Sequence, residues 1–522
     1  MVLTAENTLL VASFAPASNA DALGERAAVA ALPPKTALEL RLDAMTEPPA
    51  FGALRACFEG RTLIATVRSA SEGGNFRGTE EEERDFLEGA LSAGFDFADV
   101  EFRGGARPTL FDLPPSQQIL SLHDTEGIPA DMGALVARML ASPARFVKVV
   151  ATANDSGDAR RVLELQSANP GGRLAAFGMG EAGIATRVLA PYLGAALAYG
   201  ALLPGRATAP GQLLARDLAE IYGVGRARKV SRLFALLGSV VSHSLSPALH
   251  NANFEALGQD ALYVPFAMRM LGRELEPLVA SLDALGLPLV GASVTIPFKE
   301  EAALLSRTAE HEAGERAVNT LLRSSAPGQP LGLRAENTDR AAFEDVTREF
   351  FARKSEEKKG SAPVAIVLGA GGTARVAVDV LRRGGCEVFI SNRTDARGGD
   401  LARETGAHAL SKKSSSPWPE PDVIVNATAL GLHPGDPLPC EQNLLRPGVL
   451  VIDAPYRAGG TELVRAARAA GARVVDGQTL LLLQAAGQAT LFTGRDTSSA
   501  DLLAHLGPRL RSLFSSVEEV FP

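Results

Sequence analysis

Cysteine is scarce in this chain, and its three occurrences share no motif. The 522 residues contain only Cys57, Cys386 and Cys440, and no two of them have the CxxC spacing found in many zinc and redox sites. This excludes a disulfide framework of the kind that stabilises small secreted domains, and it predicts no metal site. The cysteine usage instead fits a reducing compartment.

Long apolar runs and excess positive charge are also missing. No apolar segment reaches the roughly 18 residues that a membrane helix requires, so no membrane association is expected. The formal net charge of −8 argues against a general nucleic-acid-binding protein. The N-terminus has neither a basic segment nor a long apolar stretch, so no signal peptide is predicted. We expect a cytoplasmic enzyme or binding protein.

Short β-rich runs alternate with helical segments through the first part of the chain. The eight runs are 9–14, 37–44, 62–69, 97–102, 118–124, 145–153, 173–180 and 196–202. Parallel strands need crossover connections, which the intervening helices supply. Eight such units predict an α/β fold of the (β/α)8 TIM-barrel type, and a six-stranded open sheet is the alternative.

The strand–helix pattern restarts after a short basic linker. We predict a barrel domain over 1–218, a linker over 219–231 and an α/β substrate-binding lobe over 232–345, which helices within 478–520 complete. The segment 362–477 contains "VAIVLGAGGTARVAV", which reads as strand, glycine turn and helix. This order is typical of a Rossmann dinucleotide-binding lobe.

The glycine turn identifies a candidate cofactor loop. Candidate contacts at the turn and the helix start are Gly369, Gly371, Gly372, Thr373 and Ala374. The next strand ends at Asn392, Arg393 and Thr394, with Arg397 close behind. NAD-binding folds place an acidic residue here for the ribose 2′-hydroxyl, whereas arginine suits a 2′-phosphate. We therefore predict NADP(H), and a solvated loop charge is the alternative for Arg393.

Polar residues cluster at the ends of the predicted barrel strands, where such barrels build active sites. Lys148 lies among apolar residues in "RFVKVVATA", and burial disfavours the charged form of an amine. It is therefore a candidate nucleophile for a carbonyl carbon. His123, one strand earlier, is placed to transfer protons, and nearby arginines suggest a small anionic substrate. The alternatives are a Lys148 amine that reaches the barrel rim and a His123 bonded to backbone.

Motifs in the second half resemble shikimate dehydrogenase. In family order they are "SHSLSPALHN" (242–251), "SVTIPFKE" (293–300), "AVNT" (317–320), "ENTDR" (336–340) and "LLLQAAGQATLFTG" (481–494). The resemblance implies a proton-transfer pair of Lys299 and Asp339. It also implies substrate contacts by Ser244, Ser246, Thr295, Asn319 and Gln484, and cofactor contacts by Tyr456 and Gly477. Read singly, the two serines could be helix caps and Lys299 a surface lysine. Departures from the family pattern occur at Glu336, Arg340, Arg457 and Thr479.

Motifs in the first half resemble type I 3-dehydroquinate dehydratase. They are "ELRLD" (39–43), "TVRSASEGG" (66–74), "SLHD" (121–124), the strand lysine and "APGQ" (209–212). The resemblance implies an imine between Lys148 and the ketone of 3-dehydroquinate, with His123 as general base and acid. It further implies carboxylate binding by Arg187 and contacts to the ring by Glu39, Arg41, Arg68, Glu72, Thr208 and Gln212.

The two resemblances together imply a two-step enzyme. The product of the dehydratase family, 3-dehydroshikimate, is the substrate of the dehydrogenase family, so a fusion would make shikimate from 3-dehydroquinate with NADPH. One alternative makes the second half a quinate/shikimate dehydrogenase. Another makes the chain a non-catalytic ligand sensor, although the four proposed catalytic residues are all present: Lys148, His123, Lys299 and Asp339.

Overall fold

The computed structural model describes residues 2–103, 113–306, 317–326, 331–356, 362–411, 417–457 and 459–514. The chain divides into two compact units. The first comprises Met1–Pro247, Gly258–Val290 and Ser325–Leu331, and the second comprises Ala248–Leu257, Gly291–Ser324 and Gly332–Pro522. Within the described ranges, no helix combines the length and apolar character needed to cross a membrane. The same ranges contain no group of three or more His, Cys, Asp or Glu side chains suited to a metal ion.

Eight parallel strands form the core of the first unit. They are β1 (Leu9–Phe14), β2 (Ala37–Arg41), β3 (Leu63–Thr66), β4 (Phe97–Glu101), β5 (Gln118–Asp124), β6 (Phe146–Thr152), β7 (Leu174–Met179) and β8 (Leu197–Ala201). Their order is β7-β6-β5-β4-β3-β2-β1-β8. The Ala196 N–H, just before β8, donates to Leu174 O at the start of β7 at 2.8 Å. The sheet thus curls into a near-barrel. This confirms the barrel prediction, and the open-sheet alternative is wrong.

Helices make the crossovers that parallel pairing requires, except between β4 and β5, where the described residues contain only a 3₁₀ turn (Pro115–Gln117), and one helix follows β8. They are α1 (Asn19–Gly24), α2 (Arg26–Ala30), α3 (Phe51–Cys57), α4 (Glu80–Ser92), α5 (Met132–Leu140), α6 (Ser156–Ser167), α7 (Gly180–Leu189) and α8 (Ala215–Glu220). Local sequence explains where several begin. Thr79 and Glu82 form a capping box that starts α4, and Asp155 caps α6.

Strand alternation sorts the barrel side chains into two layers. Phe146 and Val150 of β6 pack inside with Ile119, whereas Val147 and Val149 pack outside with the helices. Because alternate residues of a strand point to opposite faces, the side chain of residue 148 must point into the barrel.

The predicted linker 219–231 packs against the N-terminal segment. Leu3 and Val230 exchange backbone hydrogen bonds at 2.8 Å in both directions, and Val230 is fully buried. The chain then forms β9 (Arg232–Gly238), α9 (Ser246–Ala256), β10 (Ala261–Ala267) and α10 (Leu271–Ala284). Strand β10 pairs in parallel with β9. Helix α7 of the barrel packs on β10, and α6 packs on α10.

The second unit contains an antiparallel ladder and a parallel sheet. The ladder pairs β11 (Leu289–Val294) with β12 (Thr320–Arg323), and β12 with β13 (Leu333–Glu336). Helix α11 (Lys299–Leu305) follows β11, and α12 (Thr338–Glu356) follows β13.

The parallel sheet has the predicted Rossmann topology. Its strands are β14 (Val364–Leu368), β15 (Glu387–Ser391), β16 (His408–Ala409), β17 (Val423–Asn426), β18 (Leu450–Asp453) and β19 (Arg473–Val475), in the order β16-β15-β14-β17-β18-β19. The order reverses between β14 and β17, where such folds bind dinucleotides. The helices are α13 (Gly372–Arg383), α14 (Asp395–Thr405), α15 (Glu462–Ala469), α16 (Gly477–Thr493), α17 (Ser499–His505) and α18 (Pro508–Arg511). Residues 515–520 of the predicted C-terminal segment lie outside the described residues.

Candidate active sites

A cavity of about 260 Å³ opens at the carboxyl ends of the barrel strands. The nine side chains predicted for the first site all line it: Glu39, Arg41, Arg68, Glu72, His123, Lys148, Arg187, Thr208 and Gln212. A buried charge is costly unless it is paired. The pairing pattern therefore distinguishes charges that hold the site together from charges that await a ligand.

Two carboxylates hold the Lys148 amine. Its Nζ lies 2.6 Å from Asp99 Oδ2 and 3.3 Å from Glu39 Oε1. The expectation of an amine enclosed by apolar neighbours is therefore wrong, because the flanking valines face the helices outside the barrel. Both carboxylates accept hydrogen bonds from the Lys148 nitrogen, which needs a free lone pair when it attacks a carbonyl carbon.

Arg68 is the centre of the buried carboxylate cluster. Its guanidinium donates to Asp99 Oδ1 at 2.6 Å, Glu72 Oε2 at 2.9 Å and Glu101 Oε1 at 3.1 Å. Burial alone would lower the pKa of Arg68, but the surrounding carboxylates outweigh it and raise that pKa. For Asp99 the effect of burial is the opposite and would raise the pKa. The positive charges of Arg68 and Lys148 outweigh burial and hold the pKa of Asp99 below its ordinary value. Arg68 therefore holds the carboxylates in place, and its contact with a substrate stays a prediction.

Glu72 orients the His123 ring. Its Oε2 accepts from the His123 backbone N–H at 3.1 Å and from Arg68 at 2.9 Å, and it lies 2.9 Å from His123 Nδ1. An oxygen that accepts two hydrogen bonds is not itself the donor to the ring. We therefore assign the proton of this contact to Nδ1, which leaves the lone pair of the neutral ring on Nε2. Burial, reinforced by the charges of Arg68 and Lys148, holds the pKa of His123 well below 6.5. Burial also raises the pKa of Glu72 to about 8, which disfavours an ion pair between a Glu72 carboxylate and a protonated His123. The ring is thus a neutral base at neutral pH.

Arg187 is a buried cation whose donors lack acceptors. Neither Nε nor Nη2 makes a hydrogen bond to any residue that the structure describes, and the guanidinium carbon lies 4.9 Å from the centre of the Phe177 ring. Burial lowers the pKa of Arg187 to about 10. Buried donors without acceptors are costly. A bound carboxylate would satisfy both nitrogens and the charge.

A loop with Thr208 and Gln212 borders the same cavity. The Thr208 backbone N–H and Oγ1 bond Gln212 Oε1 at 2.8 and 3.1 Å. The Gly180 N–H donates to Pro210 O at 3.1 Å. A Cβ at Gly211 would lie 2.2 Å from Gly180 O, so only glycine permits this approach. The loop is therefore anchored at the start of α7.

Lys299 and Asp339 form an ion pair in the second unit. They lie in the first turns of α11 and α12, and Lys299 Nζ donates to Asp339 Oδ2. The same Nζ lies 3.3 Å from Thr373 Oγ1. A Cβ at Gly372 would lie 3.1 Å from the Cβ of Lys299. The predicted proton-transfer pair is therefore brought together beside the glycine turn.

Asn319 holds the Asp339 carboxylate. Its Nδ2 donates to Asp339 Oδ1 at 3.0 Å and to Thr338 Oγ1 at 2.9 Å, and its Oδ1 accepts from the Thr338 N–H at 2.9 Å. The amide is 1% exposed and is engaged by protein groups, so its contact with a substrate hydroxyl remains a prediction. Gln484 is half-buried on α16. One turn later, buried Gln488 donates to Asn319 O at 3.2 Å.

The remaining predicted substrate residues lie at element ends. Thr295 is half-buried and follows β11. Ser244 and Ser246 lie in the first unit at the start of α9, where Ser244 Oγ accepts from the Ser246 N–H at 3.2 Å. This is the helix-capping role that the sequence left open, and it still leaves the Ser244 hydroxyl proton for another acceptor.

The glycine turn between β14 and α13 has the features of a phosphate-binding loop. Gly369 has φ +110°, and a Cβ there would lie 2.8 Å from Ala427 O. Gly371 caps α13, and open space surrounds the position of its missing Cβ. A ligand phosphate can therefore approach the first backbone N–H groups of the helix. Gly372, Thr373 and Ala374 form the first helical turn.

The predicted 2′-phosphate residues lie just beyond β15. Asn392 Nδ2 donates to Thr394 O at 3.0 Å, which shapes the turn. Arg393 and Arg397 are exposed, and neither has a carboxylate partner in the described part of the chain. Tyr456, a predicted cofactor contact, is half-buried after β18.

Comparisons with known proteins account for both halves. A family model for type I 3-dehydroquinase matches residues 17–248, and one for the shikimate dehydrogenase substrate binding domain matches residues 236–321. The chloroplastic bifunctional 3-dehydroquinate dehydratase/shikimate dehydrogenase of Arabidopsis thaliana is 31% identical over 484 residues, which are 88% of this chain and 77% of the relative. The chain belongs to this bifunctional family.

Other similar proteins match either about half of this chain or most of it. The shikimate dehydrogenase (NADP(+)) of Rubrobacter xylanophilus is 42% identical over 274 residues, 51% of this chain and 91% of its own. A solved structure of the dehydroquinate dehydratase and shikimate dehydrogenase from S. pombe covers 96% of this chain and 98% of its own, at 24% identity and a TM-score of 0.40. The cytoplasmic location expected for this chain stays a prediction.

Two positions that depart from the expected family pattern have local partners. Arg340 pairs with Asp379. The N–H and hydroxyl of Thr479 donate to Asp476 Oδ1 at 3.0 and 2.9 Å, which reinforces the cap of α16. Gly477 at the start of that helix is required, because a Cβ there would lie 2.5 Å from Ala454 O.

Two residues of the barrel site were absent from the prediction. Asp99 contacts the Lys148 amine, and the centre of the Tyr199 ring lies 4.4 Å from the same nitrogen. The Tyr199 hydroxyl is buried with no hydrogen-bond partner among the described residues, and burial raises the pKa of Tyr199 well above 10. Asp99 and Glu101 alternate along "FADVEF", so a period-two reading could have assigned both to the interior. No comparable local signal marks Tyr199.

Proposed function

We propose that this chain catalyses two consecutive reactions of small carboxylate substrates. The barrel dehydrates 3-dehydroquinate to 3-dehydroshikimate, and the dehydrogenase part reduces that product to shikimate with NADPH. The observation that carries the proposal is the barrel cavity, where a buried amine, a neutral imidazole and a guanidinium without a partner among the described residues occur together. These groups suit imine formation, proton abstraction and carboxylate binding.

Lys148 is the nucleophile in the dehydration. The amine attacks the ketone carbon, and loss of water forms an imine. The protonated imine accepts the electron pair left when the C2 proton is removed, and the C1 hydroxyl then departs as water. Hydrolysis of the imine releases the product and regenerates the amine. The carboxylates that contact the ammonium before attack are those of Asp99 and Glu39.

His123 moves the protons and Arg187 holds the substrate. With Nδ1 donating to Glu72, Nε2 can take the C2 proton and later protonate the leaving hydroxyl. The free donors of Arg187 bind the substrate carboxylate. The proposed contacts to the ring hydroxyls are Glu39, Arg41, Arg68, Glu72, Thr208 and Gln212.

The pH profile of the dehydration tests the assignment of His123. Because the pKa of His123 is depressed, the imidazole stays neutral as the pH falls through 6.5, and kcat/KM for 3-dehydroquinate should stay flat there. Activity should decline only at lower pH, where the ring becomes protonated. The dehydrogenase reaction, measured in the same buffers, controls for acid unfolding. A midpoint at or above pH 6.5 that the control does not share would contradict the neutral buried base.

Lys299 and Asp339 handle the proton in the reduction. Bound NADPH supplies the hydride, and the ketone oxygen then needs a proton. The Lys299 ammonium donates that proton, and Asp339, oriented by Asn319, holds the ammonium in place. The proposed substrate contacts are Ser244, Ser246, Thr295, Asn319 and Gln484.

The residues around the glycine turn fit NADP(H). The open space at Gly371 leaves room for a pyrophosphate against the start of α13. The exposed guanidinium groups of Arg393 and Arg397 suit a 2′-phosphate, and no acidic side chain at 392–394 is present to bind a free 2′-hydroxyl. The Rubrobacter relative, named as NADP(+)-dependent, supports the same choice.

Replacing Arg393 should change cofactor preference. Arg393→Ala should raise KM for NADPH roughly tenfold, the usual scale for one charge-assisted hydrogen bond, and should leave KM for NADH unchanged. Arg403→Ala is the matched control. Like Arg393, Arg403 is exposed, but it lies on α14 and pairs with Asp400, so its removal should leave both KM values unchanged. An equal loss with both cofactors would mean that Arg393 does not contact the phosphate.

A coupled assay tests the proposed function as a whole. The wild-type chain, given 3-dehydroquinate and NADPH, should oxidise one NADPH for each shikimate formed. In Lys148→Arg, oxidation should stop and should resume when 3-dehydroshikimate is added. Continued oxidation in that variant would reveal direct reduction of 3-dehydroquinate to quinate. No turnover in the wild type would reveal a ligand-binding protein.

A further inference from the structure

The Glu181 carboxylate joins the barrel to the loop that precedes α9. Glu181 is the second residue of α7, immediately after β7, and it lies in the same compact unit as this loop. Its Oε2 accepts from the Val241 N–H at 3.0 Å and the Ser242 N–H at 3.2 Å, and its Oε1 accepts from the Ser242 hydroxyl. The side chain thus binds one short backbone segment at three points, across 60 residues of sequence.

This segment leads directly to the two serines proposed to bind the dehydrogenase substrate. The Ser244 N–H donates to Val241 O at 3.3 Å, and Ser244 Oγ accepts from the Ser246 N–H. Residues 239–245 form neither helix nor strand. Individual hydrogen bonds therefore set the path of this loop, and those of Glu181 fix its first half.

We propose that Glu181 is a positioning residue for the dehydrogenase reaction. It acts through Ser242, holding the loop so that the hydroxyl groups of Ser244 and Ser246 meet the carboxylate of shikimate or 3-dehydroshikimate. The inference rests on the proposed function, which assigns those two serines to the substrate. It makes a side chain of the dehydratase barrel a requirement for substrate binding in the second reaction.

Two other polar pairs provide matched controls. Ser156 Oγ donates to Glu274 Oε2 at 2.6 Å, and Ser281 Oγ donates to Glu164 Oε1 at 2.8 Å. Each joins a residue of α6 to a residue of α10, as Glu181 joins α7 to the loop. Neither pair has a hydrogen bond to the loop among the described residues, so removing one should weaken the packing of α6 on α10 and leave substrate affinity unchanged.

The test uses full-length Glu181→Ala and Glu181→Gln in the oxidation of shikimate with NADP⁺. Glu181→Ala should raise KM for shikimate roughly tenfold, as expected for loss of hydrogen bonds to a charged group. Its kcat, its KM for NADP⁺ and its dehydration rate should be unchanged, because the Gly180–Pro210 bond uses only backbone. Glu181→Gln should show a smaller rise, since its amide oxygen still accepts hydrogen bonds. Ser281→Ala should match the wild type.

A double variant measures whether Glu181 acts through Ser242. If it does, Glu181→Ala combined with Ser242→Ala should show the KM of Glu181→Ala alone, and fully additive increases would overturn the proposal. An unchanged or lower KM in Glu181→Ala would also overturn it, as would an equal loss in Ser281→Ala. If the wild-type chain oxidises no shikimate, the proposed function fails and the inference falls with it.

Discussion

Replacing Lys148 with arginine should abolish dehydration of 3-dehydroquinate, lowering kcat by about 10⁴-fold or more, the order of loss when a covalent nucleophile is removed. Reduction of 3-dehydroshikimate should continue at the wild-type rate. Arginine keeps a positive charge between Asp99 and Glu39, but a guanidinium cannot form an imine with a ketone. The measurement is kcat for each reaction on the same preparation.

The choice of arginine separates chemistry from folding. Lys148→Met would leave two buried carboxylates without their cation, which costs about 3–5 kcal/mol and lowers Tm. Lys229→Arg, at an exposed lysine outside the cavity, controls for the substitution itself. Dehydration that persists in a folded Lys148→Arg variant would mean that the reaction does not proceed through an imine at this residue.

Replacing Lys299 with methionine should slow the reduction of 3-dehydroshikimate by about 10²–10⁴-fold, the usual contribution of a general acid. Dehydration should be unaffected. Asp339 keeps its hydrogen bond from Asn319 but loses its cation, so Tm of the variant is measured alongside to separate lost chemistry from lost stability. The informative measurement is the single-turnover rate of NADPH oxidation with saturating substrate, because it isolates the chemical step from product release.

The matched control for this variant is another lysine in an ion pair. Lys354 lies 3.1 Å from Asp422, and Lys354→Met removes a cation from a more exposed pair. Its reduction rate should equal that of the wild type. If Lys299→Met lost both reactions together, a structural role would explain the loss. If it lost neither, Lys299 would not be the acid.

The barrel could be predicted from local sequence because its strands are buried on both faces. Such strands read as short, nearly continuous apolar runs. The predicted runs 9–14 and 118–124 coincide with β1 and β5, and 145–153 exceeds β6 by one residue at each end. The glycine turn could be predicted for a similar reason, because its strand, turn and helix follow one another directly in the sequence.

The partners of the reactive groups could not be predicted, because they come from distant positions. Asp99 and Glu39 lie 49 and 109 residues from Lys148 in sequence, and only the barrel closure brings them to its amine. The sequence next to Lys148 contains the flanking valines but not the two carboxylates. The same holds for Gln488, which reaches Asn319 from 169 residues away. The roles proposed for these residues come from the sequence and stay predictions, whereas the charge environment of the residues depends on tertiary structure.

Trapping of the imine shows whether Lys148 bonds covalently to 3-dehydroquinate during dehydration. The wild-type chain is incubated with 3-dehydroquinate and sodium borohydride, digested and analysed by mass spectrometry. We expect a reduced, covalently bound ligand on the peptide that contains Lys148, none on the peptide that contains Lys299, and none anywhere in Lys148→Arg. Measurable dehydration without any adduct, or an adduct confined to a different lysine, would contradict imine formation at Lys148.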